Sequence, residues 1–192
     1  MNICILSLAF ISAAYVDESD LVIAECCLIL DGRRGQVGEQ IIYLHAYKNN
    51  ARNLLALQQG ELILTIGKLW IGKVVWLEVN HLILGYMGEQ INMISLVGRQ
   101  TIEPDHKFLQ GGQRVSTTSL ALNRRENEPY FFKVDCWDRQ AEVLQDWGVK
   151  GQFLGVDGRL SISQWEQDYQ QKQKLFVVAN RIELLGLKPA LV

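Results

Sequence analysis

Polar and apolar positions alternate through YFFKVDCW, residues 130–137. A strand turns successive side chains to opposite faces, so Phe132, Val134 and Cys136 are expected to point inward, and Phe131, Lys133, Asp135 and Trp137 outward. The period then changes. DRQAEVLQDW predicts a helix over Asp138–Trp147, with an exit turn at Gly151. Alternation resumes beyond it: Leu154, Val156, Leu160 and Ile162 are expected in the core, while Asp157, Arg159, Ser161, Ser163 and Trp165 continue the outer face, Trp165 at the hairpin that follows. Two strands thereby lay rings and cations on one surface.

The same succession occurs about 90 residues earlier. NICIL (2–6) aligns with NMISL (92–96), VIAECCLIL (22–30) with RVSTTSLAL (114–122), and EVNHLIL (78–84) with VANRIEL (178–184). YLHAYKNNARNLLALQQGELILTIGKL (43–69) aligns with KVDCWDRQAEVLQDWGVKGQFLGVDGRL (133–160). A repeat this long means two domains rather than a solenoid. The expected modules are residues 1–85 and 91–187, joined through GYMGEQ (85–90). Each reads as three strands, a helix (Ala51–Leu57 in the first copy, leaving at Gly60) and two more strands. That order is the order of the OB-fold, a five-stranded Greek-key barrel, so the fold class expected is all-β, with one short helix per module and two OB-folds in tandem. One small helix cannot cover both faces of a sheet, which disfavours a doubly wound parallel arrangement.

An outward array of rings usually meets something. Rings interleaved with Lys and Arg suit unpaired bases on a phosphate chain, because rings stack on bases and cations follow the backbone. Outward rings on an antiparallel sheet equally suit packing against another domain or subunit. Periodicity alone leaves both readings open.

Charge sharpens the picture only locally. The formal net charge of the 192 residues is −2, which speaks against a strongly basic nucleic-acid binder taken as a whole. Residues 1–90 hold 6 Lys+Arg and 9 Asp+Glu, and residues 91–192 hold 13 and 12. A polyanion-facing surface is therefore expected in the second module. Cys4, Cys26, Cys27 and Cys136 form no CxxC pair and read as buried hydrophobes. The opening MNICILSLAFISAAYVDESD imitates a secretory signal but lacks a basic n-region; the repeat assigns it to a first strand. No apolar run reaches the roughly 18 residues of a membrane span.

At this point the residues resemble a known family. SLVGRQTIEPD (95–105), TTSLALNR (117–124), YFFKVDCWDRQAEVLQDWGVKGQFLGVDGRLSISQW (130–165) and VVANRIELLG (177–186) are similar to the bacterial single-stranded DNA-binding proteins. The resemblance covers nearly all of 92–186 and implies base stacking on Phe131, Trp137 and Trp165. A further family aromatic, in the hairpin between the second and third strands, has no match; NRRENEP (123–129) offers Arg124 and Arg125 instead. Lys133 and Arg159, together with Arg99 and Arg114, are the other expected phosphate contacts. DYQQKQK (168–174) reads either as a solvated loop tip or, by resemblance, as a finger whose Tyr169, Lys172 and Lys174 clasp the strand.

The resemblance also implies a homodimer with four OB modules in all, acting in DNA replication, repair or recombination in the cytoplasm, at the nucleoid. The chain ends GLKPALV, without the family's acidic tip, so recruitment of repair proteins through such a tail is not expected. In the first module Ile41, Tyr43, His45 and Tyr47 stand where Phe131, Lys133, Asp135 and Trp137 stand in the second, and Trp165 has no counterpart. That module reads as a degenerate OB-fold for packing or dimerisation.

Other chemistry is thin. TIGKLW (65–70) has Leu62 and Leu69 where a phosphate loop needs Gly and a hydroxyl. His45, His81 and His106 lack ligand spacing, and no GxSxG or catalytic cysteine signature occurs. Trp76 and Trp147 are expected to pack. The expected function is sequence-tolerant, non-enzymatic binding of single-stranded DNA without cofactor, metal or membrane. The alternatives are an OB-fold scaffold that has lost its ligand, and a binder of single-stranded RNA.

Overall fold

The computed structural model describes residues 1–15, 20–32, 35–125 and 128–186. The C-terminal expectation therefore falls, from residue 187 on, outside the described residues. The chain divides into two compact units, Ile3–Met93 and a second that starts at Ile94 and takes in Met1–Asn2. Residues beyond 85 remain bonded to the first unit. The Tyr86 N–H donates to the Leu62 carbonyl at 3.1 Å, and Ile91 N–H to Ser7 Oγ at 2.8 Å.

The first unit contains β1 (Asn2–Tyr15), β2 (Val22–Asp31), β3 (Val37–Ala46), α1 (Lys48–Leu55), β4 (Leu62–Ile71) and β5 (Val75–Ile83). β1 pairs with both β2 and β4, and the remaining neighbours run β2-β3-β5-β4. The sheet therefore closes on itself as a five-stranded barrel, with β3 and β5 parallel and the other pairs antiparallel. Leu6, Leu28, Ile42, Leu44, Leu54, Leu69 and Leu77 fill it.

The second unit repeats the plan with β6 (Asn92–Gln100), β7 (Asp105–Phe108), β8 (Arg114–Arg125), β9 (Glu128–Trp137), α2 (Asp138–Trp147), β10 (Phe153–Gln167) and β11 (Gln170–Leu185). Its order is β6-β10-β11-β9-β8, closed by a β6–β8 pairing, with β9 and β11 parallel. This is the OB arrangement that the element order predicts. Phe132, Val134 and Cys136 point inward with Leu154, Val156, Leu160 and Ile162, and all are buried.

One device is shared by the two barrels. The fourth strand carries a glycine, Gly67 or Gly158, where the register with the fifth strand shifts by one residue. The fifth strand spends its extra residue there, Asn80 in one barrel and Asn180 in the other. A Cβ at Gly67 would stand 2.2 Å from the Glu78 carbonyl oxygen, and one at Gly158 would stand 2.2 Å from that of Val178. Only glycine lets the two backbones close this tightly, and the bulge sharpens the bend that shuts a small barrel.

α2 spans the predicted residues, whereas α1 starts three residues before the expected Ala51 and ends at Leu55. The sequence offers no Ser, Thr, Asp or Asn cap before α1; Tyr47 occupies that position without a side-chain cap bond. β7 is an addition to the expected plan. Its four residues are too few to show a period, and pairing with the start of β8 creates it.

Candidate nucleic-acid interface

Register gathers the outer face of the second unit row by row. Phe131 stands beside Ala121, Lys133 beside Ser119, Asp135 beside Thr117, and Trp137 beside Val115. On the other side of β9, the pairing of Val134 with Val177 sets Phe176 next to Lys133, and Val178 next to Asp135. β10 completes the rows: Ser161 lies opposite Phe176, Ser163 opposite Lys174, Trp165 opposite Lys172, and Arg159 opposite Val178. Residues paired in register share a face, so Phe131, Lys133, Trp137, Arg159, Trp165, Lys172 and Lys174 belong to one continuous surface.

The rings on it differ in access. Phe131 is 54% exposed, Trp165 40%, and Trp137 is half-buried at the entrance of α2. Trp165 sits within β10 itself rather than on the hairpin. Nor is 168–174 a loop: Gln170–Lys174 belong to β11, and only Asp168 and Tyr169 turn the chain. Both have positive φ, 53° and 59°, the geometry of a two-residue hairpin whose hand matches the twist of the strands. Tyr169 stands fully exposed at the tip of this ribbon, in a conformation that favours glycine or asparagine.

Two residues expected on the open face are covered. Asp135 is fully buried. Its carboxylate accepts a hydrogen bond from Thr117 Oγ1 at 2.8 Å, and Lys133 Nζ lies 3.7 Å away. Ser161 is buried beside Phe176. Phe176 was absent from the expected face. It is 2% exposed, and the Lys133 ammonium lies 5.7 Å from its ring centre.

The arginines divide. Arg159 is exposed on the ring face. Arg99 joins that face around the barrel's closure, since Arg99 pairs with Ala121 and Ala121 with Phe131. Its guanidinium lies 4.6 Å over the Phe153 ring and donates to the Gly151 carbonyl at 2.8 Å. Arg114 has the opposite parity: Val115, not Arg114, accompanies Trp137. Arg114 turns to the α2 side, where it pairs with Glu142 at 2.5 Å and lies 5.5 Å over Phe108. Arg124 pairs with Glu128 at 3.5 Å, and Arg125 is exposed at the same hairpin. Phe108, exposed on the β7–β8 hairpin, and Trp147, exposed at the end of α2 where packing was expected, are two further open rings away from this face.

Burial pushes the Cys26 and Cys136 thiols up to about 12 and raises Cys4 as well, so these thiols stay protonated at neutral pH. Asp105 titrates below its ordinary range, chiefly because Lys107 donates a hydrogen bond to it. Among the described residues no group of three or more His, Cys, Asp or Glu is placed to hold a metal ion. No helix among them is long and apolar enough to cross a membrane.

The corresponding face of the first unit is built differently. Tyr43, Trp76 and Trp70 form one row, and His45 stacks on Trp76 at 4.6 Å with the planes 25° apart. Trp70 is buried, with its ring centre 6.1 Å from that of Trp76. His45 and Trp70 thus pack against the Trp76 ring, while Tyr43, His45 and Trp76 stay half-exposed.

Comparison with known proteins now adds to the geometry. Residues 91–185 match the single-strand binding protein family. Over 103 residues the chain is 35% identical to a single-stranded DNA-binding protein of Treponema pallidum, a match covering 50% of this chain and 58% of that one. Over 102 residues it is 34% identical to single-stranded DNA-binding protein 1 of a Nostoc species, covering 51% of this chain and 86% of the relative. The matched region thus spans little more than half of the first relative's length. In fold, the crystal structure of the wild-type single-stranded DNA binding protein from Thermus aquaticus superposes with a TM-score of 0.74 and 23% identity, covering 100% of this chain and 96% of that one.

Proposed function

The chain belongs to the single-strand binding protein family, and on that footing we propose that its second module holds single-stranded DNA without regard to sequence and without catalysis. The observation that carries the reading is the open ring face: Phe131, Trp137 and Trp165 around Lys133, flanked by Arg159, Lys172 and Lys174. Among the described residues the last three make no ion pair, so their charge is available to phosphates. Arg99 and Arg125 extend the cationic rim, and Tyr169 adds a ring at the tip of the ribbon. Arg124, already paired with a carboxylate, is a secondary contact, whereas Arg114, turned to α2 and paired with Glu142, lies off this face. Stacking serves every base, since every base has a π-face, and the cations track the backbone. Such a protein acts wherever duplex DNA is opened, in replication, repair or recombination, which in a bacterium means the cytoplasm and the nucleoid.

The test is a tryptophan-fluorescence titration with oligo-dT at low salt. Saturable quenching at micromolar protein is expected, lost progressively as salt rises and counterions compete. A flat titration would remove the reading.

The first module is the assembly half, with His45 and Trp70 packed against Trp76. Its outer sheet supports a homodimer. Ile3 and Ile5 of β1, Leu62, Leu64 and Ile66 of β4, and Ile83 of β5 lie on one face, paired Ile5–Ile66, Leu64–Ser7 and Leu64–Ile83. All six are exposed or half-exposed, and none is charged. An uncharged apolar sheet of this kind is self-complementary and fits a second copy about a twofold axis. Light scattering on the free protein should give about twice the 21.8 kDa chain mass, and Leu62→Lys with Ile83→Glu should return it to one chain. A monomeric parent would refute the dimer without touching the DNA reading.

A further inference from the structure

The Lys133–Asp135 pair sits at the centre of the ring face and is not explained by phosphate binding. Asp135 takes an outward position on β9, between Lys133 and Trp137, yet it is fully buried. Burying a carboxylate is costly unless it is paired and hydrogen-bonded. Here Thr117 supplies the hydrogen bond and Lys133 the charge. The Lys133 ammonium is held a second time, 5.7 Å from the centre of the Phe176 ring. Next in the same row lies Asp105, which pairs in register with Thr117 and makes a 2.8 Å ion pair with Lys107. Two cations and two carboxylates therefore lie along the rows that run from β9 through β8 to the edge strand β7, and balance to zero. A balanced cluster is a poor sink for phosphate charge, in contrast to Arg159, Lys172 and Lys174 on the rim.

We propose that Lys133 addresses the bases rather than the phosphates. Its ammonium, oriented by Asp135, donates to the carbonyl oxygens or ring nitrogens on the edge of an unpaired base stacked against Phe131 or Trp137, and Asp135 is its positioning residue. The inference rests on the second module being the single-stranded DNA platform. It reassigns Lys133 from the backbone contacts, which set affinity through counterion release, to the base contacts, which do not.

The experiment is the salt dependence of oligo-dT affinity for the intact protein, Lys133→Met, Arg159→Met and Asp135→Asn. Each phosphate neutralised on a single strand adds about 0.7 to the magnitude of the log–log slope. Arg159→Met should therefore make the slope shallower by about 0.7. Lys133→Met should weaken binding about tenfold, as expected for loss of one charge-assisted hydrogen bond, and leave the slope of the parent unchanged. Asp135→Asn should steepen the slope, because the released ammonium then counts as a phosphate contact. A shallower slope for Lys133→Met, matching Arg159→Met, overturns the proposal, as does unchanged affinity. Because Lys133→Met alone leaves the buried Asp135 carboxylate without its cation, the double variant Lys133→Met with Asp135→Asn, which removes both charges, decides where either single variant fails to fold: weaker binding at the parent's slope upholds the proposal, and a shallower slope overturns it. Absence of binding by the parent is a separate result: it sinks the platform itself and this inference with it.

Discussion

Replacing Phe131 and Trp165 together by alanine is expected to weaken oligo-dT binding by about 2–6 kcal/mol, at about 1–3 kcal/mol for each stacked base lost. At about 1.4 kcal/mol per tenfold, even the lower end is a drop of more than about tenfold. The two rings stand on different strands, β9 and β10, with β11 between them. They share no contact through which their losses would couple, so the single variants should account for most of the double. Both side chains are substantially exposed, so the melting temperature should move little. Equilibrium titration of the singles and the double, beside a thermal scan, checks both halves. A double variant that binds like the parent would leave these rings without a role in the ligand.

The neighbouring residue should give the opposite result. Phe132 is fully buried and among the largest side chains in the core. Phe132→Ala removes its transfer free energy and leaves a cavity, at a cost of about 3–5 kcal/mol. That is a large share of the roughly 5–15 kcal/mol that holds a domain together. Denaturant titration should show the midpoint falling with the m-value unchanged, while whatever protein stays folded keeps its affinity for oligo-dT. One step along β9 thus separates a binding defect from a stability defect, because that step turns the side chain from one face of the sheet to the other.

This contrast also marks how much of the molecule can be read from its sequence. Phe132, Val134 and Cys136 alternate with larger or polar neighbours, and alternation is a local property, so their burial was legible. So was α2, where a helical period begins directly after Trp137. The repeat exposed the order of strands twice over, and with it the barrel. What was not legible depends on partners across the sheet. Asp135 alternates outward like Lys133, but Thr117, Lys133 and the row continued by β7 enclose it. Ser161 is buried because register sets it against Phe176, a residue 15 positions further along. Arg114 looked like one more cation beside the rings, and its parity on β8 sends it to α2 and Glu142. The polar run 170–174 carries no apolar alternation, yet it pairs with β10 to the end because the Asp168–Tyr169 turn fixes the register. In each case the deciding information is which residue lies alongside, which local pattern does not encode.

On the proposed function, single-stranded DNA lies across the outer face of β9, β10 and β11. Photo-crosslinking of the intact protein to an oligonucleotide carrying 5-iodouracil, followed by peptide mapping, tests it most directly, since the reagent couples to rings in stacking contact. Crosslinks are expected at Phe131, Trp137 or Trp165, with none at Tyr43, Trp70 or Trp76 of the first module. Crosslinks confined to the first module, or to Phe108 and Trp147 on the other surfaces of the second, would contradict it.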